Sequence, residues 1–197
     1  MSTLEKAIQY SRNSFANGEF IQRLGSLIEI VTDSKGSVSA QVLREYYTKG
    51  LFNIFEELGI KSKIIDNPIN DKPPFLIGSR IESPEYKTIL FYGHGDTVPL
   101  QTGDWYEGIN PSELKVIGDK IYGRGVADNK GQHFINLMAL LSVLKTKKKL
   151  GFNLKLIFEM GEEIGSPGLF ELCELYKEDL KSDVLIASDG PRVSVDV

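Results

Sequence analysis

Three strand-like apolar runs, each followed closely by acidic residues or a histidine, constrain the fold of this chain more than any other feature. The runs occupy residues 87–92, 152–159 and 184–187, and helical patterns at residues 130–147 and 166–180 lie between them. Alternation of strands and helices favours parallel strands with helices packed on the faces of the sheet. The sequence therefore predicts an α/β fold, a three-layer αβα sandwich around a mixed, mostly parallel sheet.

The remaining segments supply further elements. Residues 4–31 show helical periodicity that is interrupted near Asn17. Ser39 is a candidate N-cap for one further helix, and Ser166 for the helical pattern that begins there. Residues 98–127 are rich in glycine and turn residues and are expected to cover the surface near the site. Further strands are predicted at residues 61–66, 75–81, 114–117 and 120–122.

Composition excludes several classes of protein. The 197 residues carry a net charge of −4 with no basic block other than residues 147–149, so nucleic acid is not an expected partner. The first residues lack the apolar core of a signal peptide, and the apolar stretch at residues 137–144 is too short to span a membrane. Cys173 is the single cysteine, which excludes an intrachain disulfide. We therefore expect a cytoplasmic protein without a membrane partner.

Several side chains that can bind metal stand at the ends of these elements. His94 and Asp96 are two residues apart at the end of the first run, so their side chains point to the same side of the strand. A histidine and a carboxylate at this spacing suit a metal ligand and the group that orients its imidazole. The ends of parallel strands meet at one edge of a sheet, which predicts a metal site there. The further candidates all lie at a strand or helix boundary, namely Asp128, Glu162, Glu163 and Asp189.

Each candidate also has a simpler interpretation. His94 could be a buried histidine that only donates to a carboxylate, although the glycines on both sides of it argue against a plain core position. Asp128 could cap the following helix, and Asp189 could begin a turn. Glu162 and Glu163 could be a solvated surface pair. Because all of them fall together at element boundaries, a shared metal site explains them better than separate structural roles.

Metal chemistry would give these residues distinct tasks. Hard or borderline metal ions bind imidazole nitrogen and carboxylate oxygen. Two metal ions would need a bridging carboxylate, for which Asp128 is a candidate. A water molecule activated by metal needs a base to take its proton. Adjacent glutamates can point in different directions, so Glu162 and Glu163 could serve the water and the metal separately.

Three motifs carry a specific resemblance. They are Gly-His-Gly-Asp-Thr-Val-Pro at residues 93–99, Tyr-Gly-Arg-Gly-Val-Ala-Asp-Asn-Lys-Gly at residues 122–131, and Gly-Glu-Glu-Ile-Gly-Ser at residues 161–166. Their order and spacing resemble the co-catalytic zinc peptidase family, which includes carboxypeptidase G, carnosinase and related dipeptidases, acetylornithine deacetylase and succinyl-diaminopimelate desuccinylase. The resemblance spans roughly residues 88–190 and implies a fold of the zinc-exopeptidase type.

The resemblance implies two zinc ions per site in the complete enzyme. His94 and Asp189 would bind the first ion, Glu163 would bind the second, and Asp128 would bridge both. The peptide bond between Asp128 and Asn129 is expected to be cis.

The resemblance also implies catalytic roles and a reaction. Asp96 would orient the ring of His94, and Glu162 would act as the general base. The reaction would be hydrolysis of a dipeptide-like peptide bond or an N-acyl amide bond, so the partner would be a small peptide or N-acyl amino acid. Aspartate at position 189 is typical of the dipeptidase and aminopeptidase branches. The alternatives are an N-acyl amino acid deacylase and a catalytically inactive truncated fragment.

The chain departs from this family in its length. Members are about twice as long, and they carry a distal zinc-binding histidine and an inserted lid domain. Residues 1–197 are therefore expected to be the N-terminal part of the catalytic domain, an incomplete sandwich without the lid and C-terminal part, with a further strand starting at residues 192–197. Such a chain would bind at most one zinc and could form a homo-oligomer. The second histidine, His133, is expected to be a partly exposed helix residue.

Overall fold

The computed structural model describes residues 1–36 and 38–190 and consists of helices around one five-stranded sheet. The strands of this sheet are β1 (Lys61–Ile65), β2 (Phe75–Arg80), β3 (Thr88–His94), β6 (Asn153–Glu159) and β7 (Val184–Ala187), and a separate hairpin contains β4 (Lys115–Ile117) and β5 (Lys120–Tyr122). The α-helices are α1 (Thr3–Ala16), α2 (Glu19–Ile28), α3 (Ala40–Glu45), α4 (Phe52–Leu58), α5 (Lys130–Lys147), α6 (Leu169–Leu175) and α7 (Lys177–Leu180).

The sheet has the order β1-β2-β6-β3-β7. Strand β3 pairs in parallel with β6 and with β7, whereas β2 is antiparallel to both of its neighbours, β1 and β6. Four strands thus run in one direction and β2 alone runs in the other. The expectation of a mixed, mostly parallel sheet is confirmed for strand direction, although two of the four strand pairs are antiparallel.

Helices α2 to α5 cover one face of the sheet, and α1 packs on the outer side of α5. Side chains alternate between faces along a strand, and in β6 Leu154, Leu156 and Phe158 all point to this side. They pack against buried residues of α5 such as Leu137 and Leu141. This larger core fixes α5, whose first turn follows the segment at residues 123–129 that carries Asp128.

Helices α6 and α7 cover the opposite face. Ile157 of β6 and Phe75 of β2 point to this side and join Leu172 and Leu180 in a second buried cluster. The sheet is therefore enclosed between two helical layers, and the three-layer sandwich predicted from the sequence is confirmed. Within the described residues, no helix combines the length and apolarity that a membrane crossing requires.

Two helix predictions differ from the structure in detail. The helix that begins after Ser39 contains a π-helical segment, Tyr46–Leu51, which places Tyr46 and Tyr47 in the core. Ser166 does not cap α6, because its hydroxyl group donates to Glu159 and Gly168 occupies the N-cap position with a φ of 86°. This φ is in the left-handed region, which favours glycine over serine.

The other local predictions are confirmed at the level of elements. The interruption near Asn17 separates α1 from α2, and the hairpin within residues 98–127 is formed by β4 and β5. The strand expected at residues 192–197 lies outside the described residues.

We predict that Gly131→Ala destabilises the fold. A Cβ atom at Gly131 would lie 1.8 Å from the backbone oxygen of Val126, so α5 and the preceding segment would have to separate. Overpacking against backbone should lower the free energy of unfolding by about 2 kcal/mol or more. Gly103→Ala is the matched control, because no atom lies within 4 Å of a Cβ atom there. Urea denaturation of both variants measures the difference, and equal stabilities would contradict the packing seen at Gly131.

Candidate metal centre

Two strand ends and the segment before α5 bring three metal-binding side chains together. Nε2 of His94 lies 3.0 Å from Oδ1 of Asp128 and 3.5 Å from Oδ2 of Asp189. One potential ligand atom from each of the three residues lies within 4.8 Å of those of the other two. These three candidates, which the sequence placed on separate elements, thus share one site.

The register of the sheet explains this convergence. Strands β3 and β7 are parallel, and Tyr92 is paired with Ala187 at the end of the ladder. Two residues further along the chain lie His94, the last residue of β3, and Asp189, which follows the end of β7, so both reach the same edge of the sheet. The carboxyl ends of parallel strands are the usual place for ligand sites in α/β folds.

The imidazole of His94 is fully buried and surrounded by negative charge. Its Nδ1 lies 3.1 Å from the backbone oxygen and 3.3 Å from Oδ1 of Asp96. Burial acts to lower the pKa of His94, but the hydrogen bond and charge of Asp96 and the charges of Asp128 and Glu162 outweigh it and raise the pKa to about 9. The environment of Nε2 therefore favours a bound positive charge, which a metal ion would supply.

Asp96 connects the histidine to the segment that carries the two glutamates. Its carboxylate is fully buried and accepts the backbone N–H groups of Glu162, at 3.2 Å, and Glu163, at 3.1 Å. These bonds fix the turn at residues 161–166 against the end of β3. The predicted position of Asp96 beside the ring of His94 is thus observed, together with contacts that the sequence did not reveal.

Glu162 stands at the open side of the site. Its Oε2 lies 3.9 Å from Nε2 of His94, and 39% of its side chain is exposed. Burial raises the pKa of Glu162, His94 partly opposes this shift, and the charges of Asp189, Asp96 and Asp128 add to it. A carboxylate with a raised pKa at the edge of a cation site is suited to proton transfer.

Glu163 takes a different position from the other predicted ligands. Among the described residues, the ligand atoms of His94, Asp128 and Asp189 lie within 4.8 Å of one another, and Glu163 does not belong to this group. Burial and the negative charge of Asp128 raise the pKa of Glu163, so its carboxylate is electrostatically coupled to Asp128. Its assignment to a second metal ion stays a prediction.

The segment between β5 and α5 has the expected backbone. The peptide bond between Asp128 and Asn129 is cis. Asn129 is fully buried, and Asp128 directly before it has 63% of its side chain exposed. Asp128 therefore presents its carboxylate to the open side of the site.

The prediction that His133 is partly exposed is wrong. Only 2% of the residue is exposed, and its Nε2 lies 2.7 Å from the hydroxyl of Tyr46. Burial, with smaller effects from the charges of His94 and Lys130, lowers the pKa of His133 to about 3. The spacing of four residues to Leu137 could have assigned His133 to the buried face of α5.

Lys130 and Glu159 are further buried charges that sequence reasoning missed. The Nζ atom of Lys130 donates to the backbone oxygens of Leu27 and Ile30, and burial lowers its pKa to about 7. The carboxylate of Glu159 accepts the hydroxyl groups of Tyr92, at 2.7 Å, and Ser166. Glu159 is the last residue of β6 and lies just before the motif at residues 161–166, and this position in the sequence could have identified it.

Comparison with known proteins establishes the family. Residues 90–196 match peptidase family M20/M25/M40. The human Beta-Ala-His dipeptidase is 30% identical over 212 residues, which cover 97% of this chain. The chain belongs to peptidase family M20/M25/M40. The resemblance seen in the three motifs is thereby confirmed.

Two further similar proteins extend the comparison. The crystal structure of human carnosine dipeptidase 1 matches with a TM-score of 0.84 and 30% identity, over 98% of this chain and 42% of that chain. A Cys-Gly metallodipeptidase of Candida albicans is 32% identical over 169 residues, which cover 78% of this chain and 34% of that protein. The chain spans 39% of the length of the human Beta-Ala-His dipeptidase, so it corresponds to about two fifths of that relative.

The charges around His94 predict two widely separated histidine titrations in protein freed of metal by chelation. His94 should titrate with a midpoint of about 9, while His133 stays neutral down to about pH 3. Because the ordinary pKa of histidine is about 6.5, the protonated ring of His94 stabilises the metal-free fold fully below about pH 6.5. That contribution is lost as the pH rises through about 9. Ring resonances followed by NMR against pH measure both midpoints.

Asp96→Asn tests how much of the raised pKa of His94 is due to the carboxylate of Asp96. Removing the carboxylate beside Nδ1 should lower the pKa of His94 and leave His133 neutral over the same pH range. An unchanged midpoint of His94 in this variant would contradict the electrostatic role assigned to Asp96.

Proposed function

We propose that this chain provides the metal-binding part of a zinc-dependent dipeptidase. The observation that carries the proposal is the convergence of His94, Asp128 and Asp189, with the carboxylate of Glu162 at 3.9 Å from Nε2 of His94. Membership of a peptidase family supports hydrolysis, and relatives named Beta-Ala-His dipeptidase and Cys-Gly metallodipeptidase support a small peptide as the substrate.

The donor set supports zinc as the metal. One imidazole nitrogen and two carboxylates make three protein ligands, which suits a tetrahedral zinc with one open position. His94, Asp128 and Asp189 would hold this ion. When bound, zinc would activate a water molecule for attack on the carbonyl carbon of the scissile amide, by lowering the pKa of the water from 15.7 to about 7.

Glu162 would carry the proton in this reaction. It would take one proton from the attacking water and deliver it to the nitrogen of the leaving amine, so that the C–N bond breaks to give a carboxylic acid, which keeps the second proton of the water until it ionises, and an amine. Its partial exposure lets a substrate approach, and its raised pKa favours keeping the proton between the two transfers. The backbone of Glu162 is held by Asp96, which would limit its movement during these steps.

A second zinc belongs to the proposal for the complete enzyme. Asp128 has a largely exposed side chain, so its second oxygen could face an ion that Glu163 also binds. Two carboxylates without an imidazole form a weak zinc site. We therefore propose that the second ion requires a ligand outside this chain.

Dipeptide hydrolysis is favoured over the deacylase alternative by Asp189. The resemblance associates aspartate at this position with dipeptidases, and the structure places Asp189 beside Nε2 of His94. A panel of dipeptides and N-acetyl amino acids, assayed with the complete enzyme and zinc, distinguishes the two activities. Faster turnover of the N-acetyl amino acids would favour the deacylase.

Glu162→Gln should lower kcat of the complete enzyme by roughly 100- to 10,000-fold while the zinc content stays normal. The amide keeps the size of the side chain but cannot accept the proton. Steady-state kinetics and elemental analysis of the same preparation measure both quantities. Near-normal turnover, or loss of metal, would contradict the role of Glu162 as the general base.

Glu163→Gln is the matched comparison, because it makes the same change one residue along the same turn. If Glu163 binds the second ion, the main defect of the Glu163→Gln variant should be loss of metal, and added zinc should restore part of its activity. A variant with full zinc content and low activity would contradict the assignment.

The 197-residue chain, purified by itself, should retain at most one zinc ion and should hydrolyse dipeptides slowly or not at all. Its proposed second site has only carboxylate ligands, and the apolar side chain of Leu185 on β7 is 61% exposed. Elemental analysis after gel filtration tests the stoichiometry, and light scattering tests self-association. Two tightly held zinc ions per chain would mean that a second copy supplies the missing ligand.

A further inference from the structure

We propose that the carboxamide of Asn129 is a positioning group that sets the spacing of the metal ligands. It bridges the backbone of β3 and the backbone of the segment after β7. This bridge sets the distance between His94 and Asp189, so that both side chains can bind one cation. This inference rests on the metal centre proposed above. Asn129 itself is fully buried and does not belong to the proposed ligand set.

The orientation of the carboxamide is determined by its partners. Its Oδ1 accepts the backbone N–H of His94 at 3.3 Å, and its Nδ2 donates to the backbone oxygen of Ser188 at 2.8 Å. A backbone N–H can only donate and a backbone carbonyl can only accept, so oxygen and nitrogen of the amide cannot be exchanged. The side chain therefore acts as a directional link between two strand ends.

The two linked groups are those that a longer ladder would pair directly. Gly95 donates its N–H to Glu159 of β6, so the N–H of His94 points to the opposite side, toward β7. The parallel ladder between β3 and β7 ends at Tyr92 and Ala187. If the ladder continued, the N–H of His94 would donate to the backbone oxygen of Ser188. The carboxamide of Asn129 stands between these two groups and replaces their direct bond.

This replacement separates the backbones at the level of the ligands. Ser188 immediately precedes Asp189, and His94 is the last residue of β3. A direct bond would bring the two strands to ordinary sheet spacing, whereas an inserted amide holds them further apart. The extra distance leaves space at Nε2 of His94 and Oδ2 of Asp189, which lie 3.5 Å apart, for an ion between them.

A buried chain of hydrogen bonds holds Asn129 itself. Its Oδ1 also contacts Nδ1 of His133 at 3.1 Å, and because Oδ1 can only accept, this nitrogen carries the proton. Nε2 of His133 then accepts the hydroxyl of Tyr46, which lies 2.7 Å away in the π-helical segment. The orientation of the bridge is thus determined by α5 and by the core on that face of the sheet.

The position of Asn129 has a more ordinary structural explanation, which the contacts do not support. Asn129 is the N-cap residue of α5, a position where the side chain of asparagine commonly accepts a backbone N–H group of the first helical turn. Its side chain makes no such capping bond. The amide does contact the side chains of Gln132 and His133 in that turn, but the backbone groups that it bonds belong to β3 and to the residue after β7, which argues for a role in spacing these elements.

Asn129→Leu and Asn129→Ala test the proposal in the purified protein. Both changes remove the bridge, one with a side chain of similar length and one without. Asn136→Leu and Asn136→Ala are the matched controls, because Asn136 lies on α5 and donates to the hydroxyl of Ser188 rather than to its backbone. Co²⁺ is the probe, since its visible absorption reports the ligand geometry independently of activity.

We expect the Asn129 variants to bind Co²⁺ roughly 10- to 100-fold more weakly than the unchanged protein and to show an altered visible spectrum. The Asn136 variants should keep both the affinity and the spectrum. Circular dichroism and thermal unfolding establish that each variant is folded.

Three outcomes would overturn the proposal. Folded Asn129 variants with unchanged affinity and spectrum would show that the bridge does not position the ligands, while the metal centre would stand. Unfolding of both Asn129 variants would make the carboxamide a requirement of the fold instead. If the unchanged protein binds no Co²⁺, the metal centre itself fails, and the proposal fails with it.

Discussion

Four carboxylates contact one buried imidazole, and the rest of the site depends on this concentration of like charge. Asp96, Asp128, Glu162 and Asp189 all approach the ring of His94 within 4.0 Å. Such groups repel one another unless a positive charge lies between them. The raised pKa of His94 and of Glu162 expresses the same imbalance. A bound cation would reduce the repulsion between these carboxylates. The same cluster of negative charge therefore raises the two pKa values and favours the proposed metal site.

Groups that repel one another must be held by elements anchored elsewhere. His94 and Asp189 are brought together by the parallel pairing of β3 and β7, and on its other side β3 pairs with β6, whose side chains are packed on both faces of the sheet. Asp96 is fixed by two backbone N–H groups, and Lys130 ties the beginning of α5 to the end of α2. His94 and the Asp96 that orients it are therefore fully buried and held by neighbouring elements, so that ordering them requires little further free energy on metal binding.

The glutamate pair is held less directly than the histidine and the aspartates. Glu162 and Glu163 lie in a short 3₁₀ turn after β6, and their side chains are less buried than His94. The turn is fastened through Asp96 at one side and through Ser166, which donates to the buried carboxylate of Glu159, at the other. A general base needs this combination of a fixed backbone and an accessible carboxylate, since it must meet both water and substrate.

The sequence by itself determined the order of strands and helices and the side chains that meet at the sheet edge, because apolar periodicity and glycine-rich turns are local signals. The burial of His133, the π-helical segment at Tyr46–Leu51 and the bridge made by Asn129 were decided only by the tertiary structure. Each depends on contacts between segments far apart in the chain: Tyr46 meets His133, and Asn129 reaches Ser188. Local patterns identify which residues can bind a metal, but packing between distant elements fixes their distances.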